Sequence, residues 1–511
     1  MEQHQKQISL KRDFDTQQEK SENKQNVQSN DVNAPKTKKV NTKQFEKALL
    51  EKGTHPMGIQ PLGNLYFSLG PKKKNSRDVG LGTFSILSDE LILDILAGVS
   101  SGILCKLSTV SKAFYVFCSQ EELWKNLTIS KFGGKFWFEQ TWKKTFQMES
   151  YKQASQNSLI SPPMLNNEDK IRIQDFYSDY LFQSWYCSSR DLDPKWSTAQ
   201  NVDKRSNLSL SEFITKYEEP NIPVVITDVV TQWKAFSTWT KNYLVNSFGD
   251  VPFRAGAIDI KLQDYFHYSD TTTDESPIYL FDKAFCEKCP SLSTYYQVPI
   301  YFRDDLFSVL GKERPDFRWL IAGPGRSGSI FHKDPNSTSA WNGVIYGSKK
   351  WILYPPSITP PGVFPSRDGS EVTTSVSIIE WFTNYYPNVK EDTRVRPYEC
   401  IVNAGELIFV PNGWWHCVIN LEESVAITQN YVSPRNLKNV LKFTRDCPEQ
   451  VSGYKCEQSL YENLVQGLEK SHPDLITKVL EDEQNEKEKS KFWEKLKTNA
   501  DQPFTFSFDD E

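Results

Sequence analysis

Between Arg318 and Val432 one pattern recurs seven times: a run of seven or eight residues rich in β-branched and aromatic side chains, closed by Gly, Pro or Asn. The runs are RWLIAGP, SGSIFHKD, AWNGVIY, KKWILYP, GELIFVP, WWHCVIN and VAITQNYV. Segments this short, punctuated this often, read as strands rather than helices. Many short strands must close on themselves or stack in two layers to bury a face, so the pattern predicts a barrel or jelly roll. The strand-like signal begins near residue 206, where NIPVVITDVV follows a helix starting at Ser211, and ends near 435. Gly347-Ser348 reads as a two-residue hairpin turn, and Pro411-Asn412-Gly413 as another turn.

With 511 residues the chain is long enough for two or three domains. Its 14 Trp, 22 Tyr and 31 Phe against 4 Met suit a pleated, aromatic-packed core. No apolar run approaches the roughly 20 residues of a membrane span, and the amino terminus lacks the apolar stretch of a secretory signal. The nine cysteines are odd in number and scattered, unlike a disulfide framework. The expected compartment is therefore nucleus or cytoplasm. Cys286 and Cys289 form a lone Cys-x-x-Cys; zinc would need two more ligands, so they read as loop thiols. Net charge is −5 but uneven: residues 1–80 hold 15 basic and 9 acidic residues, and the remainder is acidic. Basic clusters at Lys36, Lys38 and Lys39 and at Lys72–Lys74 could serve nuclear import or, more weakly, nucleic-acid contact. An acidic body favours basic peptides through its field.

Composition divides the chain into a disordered basic tail (1–57, with a weak helix at Thr42–Lys52), a lead-in (58–83), a helical unit (84–130) and a connector (131–205). The strand-rich domain (206–435), C-terminal helices (436–498) and an acidic tail (499–511) follow. In the helical unit Asp89 could cap a helix carrying Leu91, Ile92, Leu93, Ile95 and Leu96. A Leu-Ser-Asp-Glu-Leu start, a Leu-Ser-x-Val-Ser-Lys-x-Phe middle and a Leu-Trp end resemble an F-box, with Ser88 where that family usually has Pro. The resemblance implies docking of residues 84–130 to the Skp subunit of a cullin ubiquitin ligase. The plainer reading is a small helical domain packed on its neighbour. The apolar faces of the C-terminal helices could join two copies as a homodimer or pack on the chain's own barrel.

His332 and Asp334, two residues apart with Lys333 between them, are expected to project from one face of a strand. His416 lies on another strand, and joins them only if the sheet closes so that the strands face each other across the mouth. Two imidazoles and a carboxylate, with no thiolate, suit ferrous iron with open positions; zinc could use the same atoms. Lys349, Thr428, Asn342 and Asn430 sit on neighbouring strand-like runs. Facing inward they would make a polar pocket for a small dicarboxylate, since a buried lysine needs an anion. The competing reading puts Lys349 in solvent beside Lys350, and the period alone does not set the parity.

The blocks GPGRSGSIFHKDPNSTSAWNGVIYGSKKWILYP and GELIFVPNGWWHCVINLEESVAITQN resemble the Jumonji C (JmjC) oxygenases, nearest their nuclear lysyl hydroxylase and arginine demethylase branch. The likeness runs from about 170 to 435. It implies an α+β fold: a double-stranded β-helix, the jelly roll of the cupins, with flanking helices and a small all-α F-box before it. It implies His332, Asp334 and His416 as ligands of Fe(II). Lys349 and Thr428 would hold the distal carboxylate of the co-substrate 2-oxoglutarate, with Asn342 close by, Tyr279 lining the pocket and Ser329 where relatives carry Thr. The implied activity is oxidation of a C–H bond coupled to conversion of 2-oxoglutarate to succinate. Its substrate would be a basic, histone or RNA-associated protein, hydroxylated on lysine or demethylated on arginine or lysine. An adaptor that uses the barrel only to bind clients is the alternative, and a zinc cupin a third. Trp341, Trp414 and Trp415 would wall the pocket or, more commonly for aromatics, fill the core.

Overall fold

The structure, a computed structural model, describes residues 54–67, 74–155, 171–389 and 396–500, with backbone alone at 490 and 492–500. The helix expected at Thr42–Lys52, the basic cluster at Lys36–Lys39, Lys72 and Lys73, and residues 501–511 lie outside the described residues. His55 and Met57, in the stretch expected to be disordered, are both buried.

Thirteen of the strands between Asp203 and Tyr431 belong to the two larger sheets. They are β1 (Asp203–Arg205), β2 (Val224–Ile226), β3 (Pro252–Ala255), β4 (Ile258–Lys261), β5 (Leu280–Asp282), β6 (Arg318–Gly323) and β7 (Gly328–His332). Then come β8 (Ser339–Tyr346), β9 (Ser348–Tyr354), β10 (Tyr398–Asn403), β11 (Leu407–Val410), β12 (Trp415–Asn420) and β13 (Ser424–Tyr431). They form a nine-stranded sheet in the order β1-β2-β11-β8-β13-β6-β5-β3-β4 and a four-stranded sheet in the order β10-β9-β12-β7. From β6 to β9 and again from β10 to β13 each strand joins the sheet opposite its predecessor. That alternation is the jelly roll of a cupin.

It also corrects the hairpin expected at Gly347-Ser348. β8 and β9 are not paired: β8 bonds β11 and β13, while β9 bonds β10 and β12. Gly347 takes φ +80°, and a Cβ there would lie 2.3 Å from the Glu423 carbonyl oxygen. The glycine lets the chain step between sheets at a corner too crowded for a side chain.

Burial on both faces explains why the strands read as nearly continuous apolar runs. Between the sheets lie Ala340, Val344, Trp351, Leu353, Val402, Ile408, Val410, Val418 and Ala426. The outer face of the small sheet, with Phe331, Ile352, Tyr354, Trp415, Cys417 and Ile419, packs under the helix Ile378–Asn384. The outer face of the large sheet, including Trp341, Phe409, Ile427 and Tyr431, belongs to a core that continues into the N-terminal helices through Trp142, Trp124 and Phe117.

Those helices span Asp89–Ala97, Ser101–Leu107, Lys112–Cys118 and Glu121–Phe132, with a further helix at Ser76–Leu81 ahead of them. The cap of Asp89–Ala97 is Ser88, whose hydroxyl accepts from the Leu91 N–H at 3.3 Å, not Asp89 as expected. Serine in the position where an F-box usually has proline thus starts the helix by capping it. Asp89 instead receives Arg77 Nε at 2.6 Å. At the other end, Leu460, Leu464, Leu468 and Ile476 of the C-terminal helices are covered by Leu306, Phe307, Leu437, Val440 and Leu441 of the same chain.

Candidate active site

His332 closes β7, Asp334 follows two residues on, and His416 lies near the start of β12. β7 and β12 are antiparallel neighbours in the small sheet, with His416 directly opposite His332. The ligands therefore meet as a cross-strand pair within one sheet and not across the barrel mouth as expected. Order in the sheet, not closure of the barrel, joins them: the crossovers make two strands adjacent that are far apart in sequence. Ring centroids are 4.2 Å apart. One ligand atom from each of His332, Asp334 and His416 lies within 4.8 Å of the others, and among the described residues no other group of three His, Cys, Asp or Glu does so.

Each imidazole is held from behind. Nδ1 of His332 is 2.8 Å from the Ile330 carbonyl, and Nδ1 of His416 is 3.1 Å from that of Trp414. A carbonyl oxygen can only accept, so each Nδ1 carries the hydrogen and each Nε2 keeps its lone pair free. Oδ2 of Asp334 is buried with no hydrogen-bond partner. Burial raises that carboxyl to about 6, opposed by His332 and by the Asn430 amide. Burial, then His332, holds His416 well below its ordinary value. Two imidazole lone pairs and an orphaned carboxylate oxygen form a donor set that fits a divalent transition-metal ion.

These residues line a cavity of about 890 Å³ between the sheets. At its inner end Lys349 is fully buried. Its Nζ donates to Asn420 Oδ1 at 2.7 Å and to Tyr279 OH at 3.1 Å, and no carboxylate among the described residues pairs with it. Burial pulls the amine down to about 7. Lys350, on the opposite face, is buried too, but 2.8 Å from Glu399. The alternative of a solvent-facing Lys349 is thereby excluded. An amine without a counter-ion, beside a phenol whose oxygen already accepts from it, suits an incoming carboxylate.

The other expected residues divide. Asn342 lines the cavity, and its Oδ1 is buried without a partner. Ser329 and Tyr279 line it too. Thr428 lines it, but its hydroxyl donates to the Trp341 carbonyl at 2.8 Å, so its hydrogen is engaged. Asn430 donates to Thr338 Oγ1 at 2.8 Å. Of the tryptophans, Trp341 and Trp415 pack on the outer faces of the two sheets and Trp414 joins the core between them without lining the cavity, whereas Trp319 and Trp351 line it. Asn420, which holds Lys349, escaped the sequence reading. Its alternation with His416 and Val418 on one strand was the available signal. Cys286 lies on the short helix Phe285–Lys288 and is not a loop thiol, whereas Cys289 sits in the step just after that helix as expected; both are buried in the core.

Comparison with known proteins places this site in context. A family model described as a cupin-like domain matches residues 259–436. An arginine-specific demethylase of Arabidopsis thaliana, JMJ22, is 48% identical over 457 residues, covering 88% of each chain. A bifunctional arginine demethylase and lysyl-hydroxylase of Caenorhabditis elegans, psr-1, is 37% identical, covering 57% of this chain and 73% of its own. The human 2-oxoglutarate and iron-dependent oxygenase JMJD4 is 27% identical, covering 47% of this chain and 63% of its own.

Proposed function

The chain belongs to the JmjC family of cupin-fold oxygenases, and on that premise we propose that it is an Fe(II)- and 2-oxoglutarate-dependent protein oxygenase acting on lysyl or arginyl side chains of basic proteins. The observation that carries this reading is a single cavity with three convergent metal donors at one point and, at another, a buried amine that no carboxylate among the described residues pairs with. His332, Asp334 and His416 would hold the iron through their free Nε2 and Oδ2 atoms. Lys349 would seat the far carboxylate of 2-oxoglutarate, with the Tyr279 phenol proton and Asn342 beside it.

When bound, iron and keto acid together supply the oxidising power that converts dioxygen and a substrate C–H into an alcohol, with succinate and carbon dioxide as co-products. The chain's residues do the rest by position. The backbone carbonyls of Ile330 and Trp414 fix both imidazole planes. Asn420 aims the Lys349 amine into the cavity. Ala340, Val410 and Val418 give the cavity apolar walls. No side chain is required as a general base. The same oxidation serves both outcomes: a lysyl carbon retains the hydroxyl, whereas a hydroxylated N-methyl group leaves as formaldehyde.

Purified protein given ferrous iron, ascorbate and 2-oxoglutarate should release succinate, and His332→Ala should release none. Turnover that persists in this variant removes the assigned site. Mass spectrometry of peptides after turnover separates gain of an oxygen on lysine from loss of a methyl group on arginine.

A second activity has its own support. On the N-terminal helical unit Ile86, Ile95, Ile103 and Val110 are 88%, 50%, 47% and 66% exposed. Four exposed β-branched residues on so small a unit fit an apolar partner, and with the F-box resemblance the partner proposed is the Skp subunit of a cullin ligase. Ile95→Glu with Ile103→Glu should abolish co-purification with that subunit and leave succinate release intact; undiminished binding would discard the docking surface.

A further inference from the structure

Apart from the metal donor Asp334, one carboxylate in the cavity wall has no ion-pair partner among the described residues. Glu275 lines the cavity together with His332, Ile330 and Arg326. Its partners are hydroxyls: Ser184 donates to Oε2 at 2.8 Å, and Ser377 also reaches it. Among the described residues no Lys or Arg stands within ion-pair distance. Arg326 contributes to the field at Glu275, but its guanidinium is committed elsewhere, donating to the carbonyls of Ser188 at 2.7 Å and Cys187 at 2.8 Å. Burial pushes the Glu275 carboxyl above its ordinary range, and Glu380 adds to the rise.

The surroundings define what this group can accept. Exposed Ile330 and Val376, with Ile378, line the same cavity. A partly desolvated carboxylate among aliphatic side chains matches a ligand with a cationic tip and a hydrocarbon stem. A second anion would be repelled, and a neutral polar group would leave the desolvated charge uncompensated. The backbone here is also fixed. The adjacent Asp274 receives Lys125 Nζ at 3.0 Å, Trp142 Nε1 at 2.9 Å and Tyr268 OH at 2.8 Å, and a pre-positioned carboxylate loses little freedom on binding.

We propose that Glu275 seats the cationic tip of a lysyl or arginyl side chain of the polypeptide substrate, with Ile330 and Val376 against its aliphatic stem. The inference rests on the oxygenase reading of the cavity and adds to it the residue that selects a basic substrate. Glu275 is separate from the iron donors and from Lys349, so its loss leaves both of their sites intact.

The test is direct binding. The full chain is titrated with a fluorescein-labelled Gly/Ser peptide carrying one arginine, and with the same peptide carrying citrulline, its neutral isostere. Wild-type protein should prefer arginine. Glu275→Gln, close in shape, should weaken the arginine peptide roughly tenfold or more, the worth of a hydrogen bond to a charged group. It should leave the citrulline peptide unchanged, and Glu275→Asp should restore part of the preference. No preference in the wild type, no weakening in the Gln variant, or equal weakening of both peptides overturns the proposal. Succinate release without peptide is measured alongside. Protein that releases succinate but binds both peptides alike loses this inference alone, and protein that prefers arginine but releases no succinate loses only the oxygenase reading.

Discussion

Lys349 and Lys350 are neighbours in sequence with opposite fates. Strand parity sends one between the sheets and the other to the outer face, where Glu399 neutralises it. Sequence showed two adjacent lysines; only the register of β9 against β12, which sets Lys349 across from Asn420, shows which one is unpaired. The consequence is a pH dependence with a definite sign. With the amine drawn down to about 7, it is charged in the free protein below that pH and ready to pair with a carboxylate. Above it, binding must bring a proton, so affinity for 2-oxoglutarate should fall by about tenfold per pH unit until the amine's value in the complex is reached. Calorimetry in buffers of different ionisation heat should show proton uptake on binding above neutrality. Affinity that stays flat across that range would mean the amine remains charged throughout. Lys349→Met should weaken 2-oxoglutarate at every pH and remove the slope.

Strands and turns were legible as elements but not as connections. Gly347 reads as a hairpin turn because a glycine between two strands ordinarily makes one; here it carries the chain from one sheet to the other. The periodic signal reports which residues alternate, not which strand lies alongside. β7 illustrates the cost of a wrong placement. It is the edge strand of the small sheet, held by β12, and Gly328 sits where a Cβ would be 2.0 Å from the Val418 carbonyl oxygen. Gly328→Ala should therefore push β7 away from β12, destabilise the fold by about 1–3 kcal/mol as overpacking does, and draw His332 away from His416. Cobalt(II) absorption should show the lost site while far-ultraviolet circular dichroism stays near wild type. A variant that binds cobalt(II) as tightly as wild type would show that the edge strand does not set the ligand geometry.

Across the whole molecule the helical unit and the barrel share one apolar core, from Leu96 and Phe117 through Trp142 to Trp341 and Tyr431. Lys125 and Trp142 of the N-terminal segment converge on Asp274, beside Glu275 and close to Tyr279 in the cavity wall. The helical unit is thus braced against the segment that carries Glu275 and Tyr279 of the cavity wall, and it shares one framework with the barrel. The sequence alone determined the kind of chemistry, because residue types carry it: two histidines and an aspartate for a metal, a lysine in an apolar strand for an anion, short punctuated strands for a jelly roll. Tertiary structure alone decided which of these groups meet. Adjacency of β7 and β12, the inward parity of Lys349 and the lack of an ion-pair partner for Glu275 among the described residues all depend on which strands and loops lie side by side, and side chains far apart along a chain bear no mark of who their neighbours will be.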